Sequence, residues 1–179
     1  MRRMLLLVTA VVTTIAVVSP AAAQPSGNTV VTFTVSTSDL IIQVPPSVNL
    51  GAAFPGQTLT GQIGNVTVSD QRAALTATWT ASVVSTAFTT GGAAAEETIL
   101  PNLVEYWSGP AVATTGEGTF VPGQPTSAQA VSLNLPRTAF SKTSGSGVNT
   151  ATWDPTLSVA IPPAAVAGLY TGTVTHSVA

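Results

Sequence analysis

The chain has no cysteine and a single histidine, His176, and charged residues make up only 7% of it. Each scarcity removes a class of chemistry. Without cysteine there is no disulfide, no thiolate nucleophile and no cysteine-ligated zinc, so small disulfide-stapled scaffolds are excluded and stability has to come from packing and sheet hydrogen bonds. With one imidazole, multi-histidine zinc centres are excluded as well. A Ser-His-Asp arrangement would have to use His176, and no G-x-S-x-G elbow is present. Beyond residue 3 the only bases are Arg72, Arg137 and Lys142, scattered among seven acids. No run of them can neutralise several phosphates, so neither nucleic acid nor an anionic membrane surface is an expected partner.

Long helical periodicity is also missing, whereas Thr, Val, Gly and Pro abound and short alternating runs recur between turn residues. That is the pattern of an all-β protein. The clearest run is LTATWTASV, with Leu75, Ala77, Trp79, Ala81 and Val83 on one face and Thr76, Thr78, Thr80 and Ser82 on the other. Further strands are predicted over Val30–Val35, Leu40–Val44, Val66–Val68, Val131–Leu135, Leu157–Ile161 and Tyr170–Val178. In the last of these, Tyr170, Val174, His176 and Val178 share a side, which points the one imidazole toward the apolar face. PPSVNLGAAFPGQ and SKTSGSG read as loops, with prolines at run ends where a missing N–H breaks no ladder bond. From about Thr89 to Gln129 the pattern is less regular, which predicts long decorated loops or a short extra hairpin. TATW occurs at Thr76–Trp79 and again at Thr150–Trp153, two strands expected to play similar packing roles.

The N-terminus has its own pattern. Arg2 and Arg3 precede an apolar run from Leu5 to Val18, then Ala21-Ala22-Ala23. Basic start, apolar centre and small-residue end make a secretory signal peptide over residues 1–23, too short to span a bilayer and broken by Pro20. Cleavage is expected after Ala23, leaving residues 24–179 as one domain outside the cell. No transmembrane segment is expected after cleavage. Among the acids, a glycosidase-like pair stays open, because residues distant in sequence can meet in space; adjacent Glu96 and Glu97 point opposite ways on an extended segment, which leaves Asp70, Glu105, Glu117 or Asp154 as candidate partners. No D-x-D-x-D-G calcium loop is present, and no cofactor is expected.

Taken together, VTVSDQRAALTATWTASV (66–83) and LSVAIPPAAVAGLYTGTVTHSVA (157–179) resemble the two halves of the WxL domain, a surface module of Gram-positive bacteria. That family has a first block V-x-D-x-R-G followed by W-x-L, and a closing block Y-x-x-x-L-T-W-x-L. Val68, Asp70, Arg72 and Trp79 hold the first pattern, with Ala81 in the leucine's place. Tyr170 and Thr175 hold the second, Val174 and Val178 stand for leucines, and His176 occupies the tryptophan's place. The resemblance implies a β-sandwich that associates noncovalently with peptidoglycan and acts beside other surface proteins. It implies binding residues at Asp70, Arg72, Trp79, Tyr170 and His176. Gly168 and Tyr170 also match the G-x-Y of a tyrosine corner in immunoglobulin-like sandwiches.

Two roles remain open for the motif residues: Trp79 as core or as a platform for sugar rings, and His176 as a neutral buried ring or a charged one at a wet rim. The expected protein is an all-β, Ig-like sandwich, secreted or noncovalently held at the wall. It would be a noncatalytic module binding wall glycan or a partner surface protein. The alternatives are a structural subunit of a surface layer or fibre and a secreted hydrolase with a carboxylate pair.

Overall fold

Strands form wherever an alternating run finds a partner, and the computed structural model describes residues 29–179. The signal peptide read at residues 1–23, with its cleavage point, lies outside the described residues. In chain order the strands are β1 (Leu40–Gln43), β2 (Thr58–Gln62), β3 (Val66–Asp70), β4 (Trp79–Ser85), β5 (Phe88–Thr89), β6 (Thr98–Ile99) and β7 (Val104–Trp107). They continue as β8 (Ala111–Thr115), β9 (Phe120–Pro122), β10 (Val131–Ser132), β11 (Arg137–Lys142), β12 (Asn149–Trp153), β13 (Thr156–Ala160) and β14 (Val174–Val178). The helical elements between them are 3-10 turns of three residues each. None is long and apolar enough to cross a membrane.

Every ladder is antiparallel. Three four-stranded sheets run β1-β3-β12-β8, β10-β7-β13-β2 and β14-β4-β11-β9, and β5 pairs with β6. Their inner faces meet in one core: Val66 and Val68 from β3, Trp79, Ala81 and Val83 from β4, Val104 and Tyr106 from β7, Ala151 and Trp153 from β12. The protein is therefore all-β, several antiparallel sheets around a shared core, consistent with a β-sandwich. Trp79 and Trp153, the two ends of the TATW echo, are both buried.

A bulge in β11 between Thr138 and Phe140 resets the alternation. Ala139 and Phe140 are consequently both buried, and Lys142, two residues on, also turns inward. The SKTSGSG loop approaches its neighbour at backbone distance: a Cβ on Gly145 would run into the Glu117 carbonyl, and one on Gly118 into that of Ser144. Both glycines have positive φ.

Four sequence expectations are corrected. Val30–Val35 is not a strand; Val30, Phe33 and Val35 are exposed, and none of the ladders includes them. The contacts of the chain also divide at Thr34, with the compact unit starting at Val35. Leu75 lies outside β4 and is exposed, so the alternation there begins at Ala77. Tyr170 precedes β14, which begins only at Val174. The middle of the chain holds the short extra hairpin expected there, β5–β6, but it also supplies a strand that was not expected, β7, an inner strand with Val104 and Tyr106 at 0% exposure.

Candidate functional site

Alternation along β3 puts Val66, Val68 and Asp70 on the core face, so a carboxylate ends up fully buried. A charge in that position needs partners. Arg72 supplies them just past the strand end: Nε donates to Oδ1 and Nη2 to Oδ2, both at 2.9 Å, and the Arg72 backbone N–H reaches Oδ1 at 3.1 Å. The guanidinium also donates to the Thr78 carbonyl at 2.8 Å, pinning the strand entry to β4. Asn149, facing Asp70 in register on β12, donates Nδ2 to Oδ2 at 3.3 Å and accepts the Trp79 indole N–H at 2.8 Å. Asp70, Arg72 and Trp79 are thus joined through Asn149. The Arg72 fork holds the Asp70 carboxyl below the usual carboxylate range, against the opposing effect of burial.

Trp79 is 3% exposed and packs beside Phe120 and Phe140, each with its ring centroid 6.4 Å away. Its one polar group is satisfied inside. Of the two roles the sequence left open, the ring takes the core one, and neither it nor Asp70 offers a surface to a ligand. Lys142, opposite Trp79 in the β4–β11 ladder, is buried too. Its ammonium donates to the carbonyls of Ala77 at 2.8 Å and Ser144 at 2.7 Å and lies 5.8 Å from the Phe120 ring centre. Backbone dipoles and a ring face, with no carboxylate, neutralise this cation.

The other two residues lie elsewhere. His176 sits on the inward face of β14 beside Val174 and Val178, partly buried. Its Nε2 is 3.3 Å from the Tyr106 hydroxyl, which accepts the Trp153 indole N–H at 3.1 Å. Three rings from three sheets therefore share one short polar chain. Because the hydroxyl accepts from Trp153, it is free to donate to an unprotonated Nε2. Burial lowers the His176 pKa to about 4 and raises that of Tyr106. On its far side His176 borders a cleft of about 330 Å³ whose walls include Pro45, Pro46, Leu50, Phe88 and Val174. Tyr170 is fixed by its hydroxyl, which lies 2.9 Å from the Val166 carbonyl and 3.0 Å from that of Glu96.

A neutral folded-state histidine has a consequence for stability. Its folded pKa, about 4, lies below the unperturbed ~6.5, so only the unfolded chain takes the proton readily in between. This contribution is whole above pH ~6.5, declines as pH falls and levels off below about 4, where both states are protonated. Chemical denaturation of wild type and His176→Gln across pH 4–7 should show this slope in the wild type alone; parallel curves would refute the neutral ring.

Asn149, Tyr106, Trp153 and Lys142 were not among the sequence-derived site residues. The TATW echo was the one signal for Trp153, and nothing local marks Asn149 or Tyr106, whose partners lie 79 and 70 positions away. Among the described residues no group of three or more His, Asp or Glu side chains is placed to hold a metal. Asp70 is committed to Arg72, and Glu97 accepts the backbone N–H groups of Gly92 and Ala94. No protein-family model, curated protein or solved structure matches the chain.

Proposed function

We propose that the chain is a secreted, noncatalytic module of the cell envelope, an immunoglobulin-like sandwich of WxL type that acts by contact with a partner surface protein. The observation that carries the reading is the convergence of the motif residues. Asp70, Arg72 and Trp79 form one bonded group, and β4, which holds the first tryptophan, pairs directly with β14, which holds the closing block. Ala73 stands where the first block has glycine and adopts φ of 51°, the left-handed conformation that favours glycine. The Tyr170 hydroxyl reaching back four residues to Val166 is the bond a tyrosine corner makes.

Protein contact is favoured over glycan binding because the motif tryptophan, Trp79, is buried in the core and not open to a sugar ring. Trp79 and Trp153 are buried, which leaves the half-buried Trp107 as the one tryptophan with exposed surface. The cleft beside His176 has mainly aliphatic walls, suited to side chains rather than to hydroxyl-rich rings. Co-sedimentation tests this. The protein should pellet with intact envelopes and be lost when they are stripped by protease, with little retention on purified peptidoglycan. Strong retention on peptidoglycan alone would reverse the assignment.

A further inference from the structure

The cleft beside His176 contains a polar group that nothing else in the described chain satisfies. Its volume of about 330 Å³ falls within the ~300–1,000 Å³ of small-molecule clefts, and its walls all come from the compact unit that starts at Val35. Pro45, Pro46, Leu50, Phe88 and Val174 supply apolar surface, and no Asp, Glu, Lys or Arg lines it. An ion entering it would lose its water without meeting a counter-charge.

Where the imidazole proton sits follows from the groups behind the ring. The Tyr106 hydroxyl is buried and accepts the Trp153 indole N–H, and among the described residues His176 Nε2 is the one acceptor within hydrogen-bond distance of it. A buried phenol proton needs an acceptor, so it goes to Nε2. Burial keeps the ring neutral, which leaves the ring's own proton on Nδ1. Nδ1 makes no hydrogen bond among the described residues, yet the side-chain polar atoms sealed from solvent there without a partner are Gln124 Oε1 and Asp154 Oδ1 alone. Nδ1 is therefore open, and the space that His176 lines is the cleft.

We propose that this cleft binds a small uncharged molecule, apolar over most of its surface and carrying one carbonyl oxygen, which accepts the Nδ1–H of His176. The site goes beyond the envelope reading and stands without it, since it needs no partner protein. Apolar walls give affinity to any ring or chain that fits, and the one directed donor chooses among them. A hydrocarbon or a donor-only ring strips the water from Nδ1–H and returns nothing, whereas a carbonyl replaces that water. A carboxylate would bury its charge against a neutral ring. Tyr106 and Trp153 act as positioning residues, because by occupying Nε2 they keep the proton on the nitrogen that faces the ligand.

The imidazole nitrogen resonances of the exported protein test this, and they are unambiguous because the chain has one histidine. At neutral pH the free protein should show Nδ1 protonated and Nε2 bare. Indanone, a fused ring pair with one carbonyl, should shift Nδ1. Indole, of similar size with an N–H donor and no carbonyl, should bind about tenfold more weakly, the worth of one hydrogen bond, and benzoate should leave the resonances in place. His176→Phe keeps a ring on β14 and removes the donor, so the preference for indanone, read from the ligand signals, should vanish. A proton on Nε2, indole binding as tightly as indanone, benzoate binding more tightly, or indanone leaving Nδ1 unshifted each overturns the proposal. So does a preference that survives His176→Phe; if that variant fails to fold, the wild-type tautomer and the order of the three probes decide.

Discussion

Trp79→Ala is expected to destabilise the protein by about 5 kcal/mol, the top of the ~3–5 kcal/mol range for emptying a buried aromatic site. Two effects add. The ring, 3% exposed between Phe120 and Phe140, leaves a cavity that strands held in ladders on both sides cannot collapse into. Its indole N–H also satisfies the buried Oδ1 of Asn149, which the truncation leaves without a donor. Trp79→Phe separates them: most of the packing survives and only the hydrogen bond goes, so the loss should fall to about 1–2 kcal/mol. Denaturant unfolding measures both variants. A loss below about 1 kcal/mol for Trp79→Ala would show that the ring does not hold the core together.

Arg72→Met should cost about 3 kcal/mol, the lower end of the ~3–5 kcal/mol for leaving a buried charge without its ionic partner, the Arg72 side chain itself being 38% exposed. The lower end applies because Asp70 keeps two donors, the residue 72 backbone N–H and Asn149 Nδ2. The sign of the pH dependence identifies the cause. In the wild type the folded pKa of Asp70 is depressed, so its contribution is present above the unfolded ~3.9 and is lost as pH falls through the folded value. Without the guanidinium the largest depressing cause is gone and burial is opposed only by two hydrogen bonds, so the folded pKa of Asp70 rises. Acid then relieves the variant's penalty by protonating the stranded carboxylate. The stability gap between wild type and variant should therefore narrow as pH falls through the carboxylate range, where the variant's Asp70 takes a proton before the wild type's does; the His176 contribution, common to both chains, cancels in that difference. A gap independent of pH would mean that Arg72 acts through packing alone. Because Asn149 links Asp70 to Trp79, the double variant Trp79→Phe/Arg72→Met should lose less than the sum of its parts.

Periodicity decided much of this architecture. The alternation from Ala77 to Val83, the Val66–Val68 run and the apolar side of the final strand all lie on the core face, because a half-buried strand needs no more than an apolar residue at every second position. Scarcity of charge and absence of cysteine fixed what stabilises it. The sequence also placed Asp70 and Arg72 two residues apart, close enough to pair at a strand end, and the structure turns that spacing into a bidentate fork.

Pairing is what periodicity cannot supply. Val30–Val35 alternates as well as any strand in the protein, yet a strand exists only where another backbone accepts its N–H groups, and no ladder among the described residues does so. Conversely, Val104–Trp107 is too short to stand out between turn formers, but tertiary packing set it between β10 and β13 and buried it. The burial of Lys142 depended on a one-residue bulge that shifted the phase of β11. The same limit governs the site. Alternation along the last strand sufficed to turn His176 inward, but the hydroxyl that meets it comes from β7 and the indole behind that from β12. Sequence by itself determined which residues face inward; which inward residues meet was decided only by strand order, since contacts across sheets join positions that no local pattern connects.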